Sequence, residues 1–221
     1  MIRPLAPNPS GGRIAGQAAF SDASDGDMRG DLVRRSGLAR RLGVADEWAT
    51  VTQVHGSRVV EVELPGDHGE ADAMFTSRAD LPLAVFTADC AGVAVLASGA
   101  VGVAHAGWRG VVSGVVASLL SAMRRGGFEP ASAAIGPAIG PCCLEVGSEV
   151  SERFAGFADR TSWGSTSVDL DRAIRAQLNG LDVWAAGKCT RHDPGWFSHR
   201  RDRSVERMAT VAWLSQGPDE S

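Results

Sequence analysis

The chain has 221 residues, 44% of them apolar, enough to bury one sizeable core without calling for a second domain. A net charge of −4 gives no bulk attraction to nucleic acid or an anionic membrane. No apolar run is long enough to span a bilayer, and the N-terminus lacks the charged start and long apolar stretch of a secretory signal.

Residues 1–30 are rich in Pro, Gly, Ser and Asp, with a strand expected over 15–20 and a turn at Asp25-Gly26-Asp27. Residues 31–43 predict a basic helix ended by Gly43. Residues 51–62 alternate as a strand interrupted at His55-Gly56, and 65–70 read as a polar loop. Three short apolar runs, 83–87, 93–97 and 101–105, predict strands, the last two joined by a hairpin across 97–100. After Gly107-Trp108-Arg109-Gly110 the period changes. Val112, Val115, Val116, Leu119, Leu120 and Met123 share one face of a helix that stops at Gly126-Gly127, giving a strand, a glycine loop and a helix in succession. Residues 133–135 predict a strand leading into Gly136-Pro137-Ala138-Ile139-Gly140-Pro141-Cys142-Cys143, where glycine and proline exclude helix and central strand. Helices are expected over 145–157 and 170–178, strands over 183–186 and 208–213, and a loop over 197–201, while 165–168 carry no decisive pattern. The mixture is α/β or α+β with much antiparallel pairing, in one domain over residues 1–221.

The four cysteines are Cys90, Cys142, Cys143 and Cys189. Two are sequence neighbours, awkward to bridge, and a chain of this size needs no staples, so reduced thiols in the cytoplasm are expected. His55, Cys90 and His105 each sit at a turn beside an apolar run. Two histidines and one cysteine make a three-ligand set that leaves a fourth tetrahedral position open, as catalytic zinc requires. Cys90 with either histidine is equally a nucleophile and its base; both roles need thiolate character, and spacing does not separate them. Asp72 and Asp89 are candidate acid–base groups or acceptors for a ligand histidine, with turn-forming as the plainer role. Gly107 and Arg109 open a helix, a place where backbone N–H groups and a guanidinium can hold an anion, although Trp108 in a tight turn packs equally well as core.

At these residues the chain resembles a known family. Gln53-Val54-His55-Gly56, Asp72-Ala73, Thr87-Ala88-Asp89-Cys90, His105-Ala106-Gly107-Trp108-Arg109-Gly110, Gly136-Pro137-Ala138-Ile139-Gly140, Cys189-Thr190 and Phe197-Ser198-His199-Arg200-Arg201-Asp202 occur in the family's order across residues 50–213. The family is the multicopper polyphenol oxidoreductase, or laccase-like, proteins, which includes purine nucleoside phosphorylases and the bacterial peptidoglycan editing factor. The resemblance implies an α+β fold of two packed mixed sheets with helices outside, an α/β/β/α sandwich related to cysteine-hydrolase toxins. It implies zinc on His55, Cys90 and His105, with copper able to bind the same donors in vitro. It places Arg35 as a phosphate contact beside Gly107 and Arg109. Leu144, where an aromatic residue is common, and Glu206-Arg207-Met208 in place of Gly-Arg-Met depart from the family pattern.

The activity so implied is zinc-dependent phosphorolysis of purine nucleosides (adenosine, inosine, guanosine, methylthioadenosine), with deamination of adenosine. The partners are a purine nucleoside and phosphate, with neither nucleic acid nor membrane, in a monomer or homodimer. One alternative is a metal-free cysteine amidohydrolase acting on peptidoglycan precursors. The other is a copper-dependent polyphenol oxidase, against which the chain's five histidines count.

Overall fold

The computed structural model describes residues 14–216; residues 1–13, the most Pro- and Gly-rich part of the N-terminal segment, and 217–221 lie outside the described residues. In chain order the first strands are β1 (Ile14–Phe20), β2 (Ala49–Thr52), β3 (Val59–Glu61), β4 (Gly66–Glu70), β5 (Ala73–Thr76), β6 (Leu83–Thr87) and β7 (Ala91–Ala97). Then follow β8 (Ala100–Ala106), β9 (Pro130–Ile135), β10 (Ala158–Arg160), β11 (Thr166–Val168), β12 (Asp182–Ala185) and β13 (Met208–Gln216). The helices are α1 (Leu32–Leu42), α2 (Trp108–Val112), α3 (Val115–Arg125), α4 (Ser148–Ser151), α5 (Leu170–Gln177) and α6 (His199–Asp202).

Two mixed sheets stack face to face. The first runs β1-β13-β6-β2-β4 and the second β12-β9-β7-β8-β5-β3. Burial on both faces explains the continuous apolar runs of the middle strands. Along β6, Leu83 and Val85 point between the sheets, while Ala84 and Phe86 point outward to a layer holding Leu38 and Ala39 of α1. Along β7, Ala94 and Leu96 enter the space between the sheets, while Val93 and Val95 face a layer with Val116, Leu119 and Met123 of α3 and Ile174 of α5. This strand period of two generates four layers in the order helix, sheet, sheet, helix.

The sheets meet closely where side chains vanish. A Cβ on Gly92 of β7 would lie 2.0 Å from Thr210 Oγ1 and 2.7 Å from Thr210 Cβ on β13. Gly92→Ala therefore wedges the two sheets apart, and the expected loss is about 1–3 kcal/mol in chemical denaturation, the usual range for overpacking. Unchanged stability would show that the sheets can separate freely here.

The predicted α1 and α3 are present. Asp31 caps α1 through Val33 N and Arg34 N, and Gly43 ends it in the left-handed region at φ 69°. Gly114, at φ 76°, breaks the predicted helix after Trp108 into α2 and α3. Four expectations are corrected, the first being the loop over 197–201, whose second half is α6, capped by the Ser198 side chain accepting from Arg201 N. The strand over 51–62 is two strands belonging to different sheets, since His55-Gly56 lies in a crossover. The polar loop over 65–70 contains β4, an exposed strand that pairs with β2 through its backbone, with Thr52 Oγ1 donating to Asp67 at 2.9 Å beside the ladder. The helix over 145–157 shrinks to α4 plus a single 3-10 turn, Glu152–Phe154. Glu145 bridges to Ser167 in β11, which keeps this backbone extended, and Gly156 turns the chain at φ 86°. Among the described residues no helix is long and apolar enough to cross a membrane.

Candidate metal centre and cleft

Three times the chain crosses from the first sheet to the second, after β2, after β4 and after β6; the middle crossing carries Asp72, and the other two each deliver a ligand residue. In the first, Gln53 staples the loop to β6. Its Nε2 donates to Phe86 O at 2.8 Å and its Oε1 accepts from Phe86 N at 2.8 Å. His55 follows at φ 63°, a conformation uncommon for a side-chain-bearing residue. That turn aims three successive N–H groups at one carboxylate. Val54 N, His55 N and Gly56 N donate to Asp72 at 3.2, 2.9 and 2.6 Å. Asp72 has no solvent exposure. Its Oδ1 also lies 2.7 Å from His105 Nδ1, and its carbonyl accepts from His105 N at 2.7 Å. Burial alone would raise the pKa of this carboxyl, but the bonds from His105 and the backbone N–H groups of Gly56 and His55 hold it below its ordinary value. The ionised Asp72 fixes Nδ1 of His105 as a donor, which leaves Nε2 to face the other ligands.

The crossover after β6 carries Cys90. Asp89, before it, adopts φ 86° and is tied on three sides. Its carboxylate accepts from Thr190 Oγ1 and from Arg200 N, both at 2.7 Å, and its carbonyl accepts from Ile139 N at 2.8 Å. The Cys90 sulfur and one nitrogen each from His55 and His105 lie within 4.8 Å of one another, and the two imidazoles meet edge to face at 4.8 Å. Burial works against charge on Cys90, yet hydrogen bonds and the charges of His105 and His55 bring its pKa down to about 6. Burial likewise opposes charge on His105, but Asp72 and Cys90 raise it to about 9. Both shifts favour an imidazolium–thiolate pair, from which a cation would displace the proton.

Gly107 keeps the space open, because a Cβ there would sit 2.8 Å from Cys90 Sγ. The donor set fits zinc: two imidazoles and a thiolate converge, and a carboxylate orients one imidazole from behind. It fits an electron-transfer copper site less well. Such a site adds a weak axial methionine, glutamine or backbone oxygen; among the described residues no methionine lines the cleft, and both ends of the Gln53 amide are engaged.

The three ligand residues line a cleft of about 360 Å³, together with Phe86, Trp108, Leu144 and Leu170. The predicted residues divide accordingly. His55, Cys90 and His105 come together with Asp72 behind them and Gly107 beside them. Asp89 lines the cleft, but both its oxygens are occupied. Arg35 is not among the lining residues. It packs over the rings of Phe86 and Trp48 and donates to the carbonyls of Met28 and Arg29. Arg109 is exposed over Trp108, its guanidinium carbon 4.4 Å from the ring centroid, and only Trp108 of that pair reaches the cleft.

Three other arginines line it instead: Arg29, Arg200 and Arg207. Asp27 assembles two of them, its carboxylate accepting from Arg29 N at 3.1 Å and Arg207 N at 2.9 Å. The doublet Arg200-Arg201 is visible in the sequence as a basic pair and Arg207 as the arginine at the family's Gly-Arg-Met position, but nothing local marks Arg29 as a cleft residue.

The family model described as multi-copper polyphenol oxidoreductase laccase matches residues 22–215. A purine nucleoside phosphorylase of Streptomyces griseus is 39% identical over 196 residues, 81% of this chain and 80% of that protein. Another, from Deinococcus radiodurans, is 37% identical over 224 residues, 93% of this chain and 86% of that one. The crystal structure of the hypothetical protein YfiH of Bacillus licheniformis superimposes with a TM-score of 0.82 at 26% identity, covering 90% of this chain and 93% of that one. YlmD of Geobacillus stearothermophilus gives 0.80 at 27%, covering 93% of each. With the crossovers, the donor set and these likenesses together, the chain belongs to the multi-copper polyphenol oxidoreductase laccase family.

Proposed function

We propose that the protein is a zinc-dependent purine nucleoside phosphorylase, converting a nucleoside and phosphate into free base and ribose 1-phosphate. One observation carries the reading: a single cleft joins the His55, Cys90 and His105 donors to Arg29, Arg200 and Arg207, between walls that include Phe86, Trp108 and Leu144. Relatives named purine nucleoside phosphorylase support it. Phosphorolysis needs an anion held against the sugar while a cation-like sugar forms, and three guanidinium groups supply that charge in a partly dry site. The apolar walls suit a flat base. Zinc, when bound, supplies Lewis acidity and a route to hydroxide near neutral pH, which suits the deamination of adenosine. Asp72 serves as the group that holds His105, and Asp89 as the clamp of the cleft wall, in place of acid–base roles.

Arg29 is exposed and tests the anion site without endangering the fold. Arg29→Gln is expected to raise KM for phosphate about 10- to 100-fold, the worth of one charge-assisted hydrogen bond, while leaving phosphate-independent deamination near the original rate. An equal loss of both activities would place Arg29 elsewhere in the chemistry.

A second reading rests on the imidazolium–thiolate pair, since Cys90 at about 6 is also an activated nucleophile for amide hydrolysis. The deciding experiment incubates metal-quantified protein with adenosine, with and without phosphate, beside Cys90→Ala. Zinc near one equivalent at the cleft and phosphate-dependent adenine release, both lost in the variant, support the phosphorylase. Amide hydrolysis that survives chelators but not thiol alkylation, with no nucleoside turnover, replaces it with the hydrolase.

A further inference from the structure

Beyond the ends of β9 and β12 the two chains continue side by side. Ala138 N donates to Lys188 O at 3.3 Å, and Thr190 N donates to Ala138 O at 3.1 Å. Each chain then makes a tight turn bearing soft ligands. In one, Cys143 N and Leu144 N both donate to Gly140 O at 3.0 Å, which presents Cys142 and Cys143 on the same turn. In the other, His192 N and Asp193 N donate to Cys189 O at 3.2 and 3.0 Å, folding Cys189-Thr190-Arg191-His192 so that its first and last side chains converge. Arg201 braces this second turn by donating to the carbonyls of Thr190 and Asp193.

The four ligand atoms lie within 4.8 Å of one another. Cys142 Sγ is 3.6 Å from Cys143 Sγ and 3.6 Å from His192 Nδ1. Zinc–sulfur bonds of about 2.3 Å and zinc–nitrogen bonds of about 2.05 Å in a tetrahedron put S···S near 3.8 Å and S···N near 3.6 Å. The observed spacing is thus that of ligands already gathered for one ion. All four cysteines of the chain are free thiols, and Gly140 N donates to Cys189 Sγ at 3.3 Å, the type of outer bond that supports a metal thiolate.

The geometry points to a second metal site, in which Cys142, Cys143, Cys189 and His192 enclose one Zn²⁺ with four protein ligands and no open position. Three thiolates and an imidazole form a closed, structural set, unlike the three-ligand set in the cleft. Its placement gives it a task. One of its loops carries Ile139 and Leu144 of the cleft wall, and the other carries Thr190, which holds the Asp89 carboxylate beside Cys90. An ion there cross-links the two loops and rigidifies that wall. The inference is independent of the nucleoside reading.

Cobalt(II) and zinc titrations under reducing conditions test it, using Cys90→Ser so that the cleft contributes no thiolate. This variant is expected to retain close to one zinc per chain and, with cobalt, to show strong sulfur-to-metal charge-transfer absorption. Adding Cys189→Ser should remove most of that band. Adding His192→Ala, at an exposed residue that can be changed without unfolding the chain, should weaken zinc at least tenfold. The proposal is overturned if Cys90→Ser takes up no metal while its three thiols react freely with a thiol reagent. It is equally overturned if mass spectrometry of zinc-supplied protein finds Cys142 in a disulfide. Nucleoside turnover enters neither readout, so the two readings fail separately.

Discussion

Gly107→Ala is expected to lower kcat/KM by about 10²-fold and to strip zinc from the cleft, with the circular dichroism spectrum unchanged. Gly107 has φ −73° and ψ 164°, which alanine adopts without strain, so the added methyl is the whole perturbation. Its carbon would stand 2.8 Å from Cys90 Sγ and 3.0 Å from His55 Cδ2. Neither neighbour has an easy retreat. Cys90 follows Asp89, whose carboxylate and carbonyl are bonded to three segments, and His55 hangs from a loop pinned by Asp72. One ligand must swing out of register, and a metal site tolerates little such displacement. The measurements are zinc per chain, kcat/KM for adenosine phosphorolysis, and the thermal midpoint. Full activity in a Gly107→Ala protein that has lost the cleft zinc would show that catalysis does not use this centre, and full zinc with full activity would show that the ligands can retreat from the methyl.

The sequence made the two sheets legible in their middles and obscure at their edges. β6, β7 and β8 are buried on both faces, so hydrophobicity alone marks them. β4 carries Gly, Asp, His, Gly and Glu and exists because its backbone pairs with β2, which no side-chain pattern reports. The His55, Cys90 and His105 set was visible because each residue ends or begins an apolar run, and the family order singled it out from other histidines. The arginine side of the cleft was not visible. Arg29 and Arg207 come from opposite ends of the chain and meet through the single carboxylate of Asp27, a link of tertiary structure with no local signature. Arg35 drew attention through the family resemblance and Arg109 as a charged residue at a helix start, but aromatic faces hold both guanidinium groups, and neither residue lines the cleft. Charge in a motif shows that a residue can bind an anion; only packing decides which way it points.

Asp72→Asn should be the most damaging isosteric change in the protein. Each carboxylate oxygen accepts from donors only: Oδ1 from His55 N and His105 Nδ1, and Oδ2 from Val54 N and Gly56 N. An amide NH₂ at either position therefore meets an N–H group head on. Placed toward Oδ2, it breaks the turn that presents His55. Placed toward Oδ1, it opposes His55 N and makes His105 Nδ1 the acceptor, which moves the ring proton to Nε2 and removes His105 as a ligand. Either arrangement leaves buried groups unsatisfied, and the expected stability loss is on the order of 3 kcal/mol. Zinc affinity should fall by at least 10- to 100-fold, the usual effect of losing an orienting carboxylate. The pH profile separates this role from simple packing. Because the folded pKa of Asp72 lies below its ordinary 3.8, its contribution is present above that value and is lost as pH falls through the depressed one. Wild type should then lose stability in acid more steeply than Asp72→Asn, which no longer carries the titrating group. Parallel acid limbs for the two proteins would mean that Asp72 is not the ionised anchor of His105.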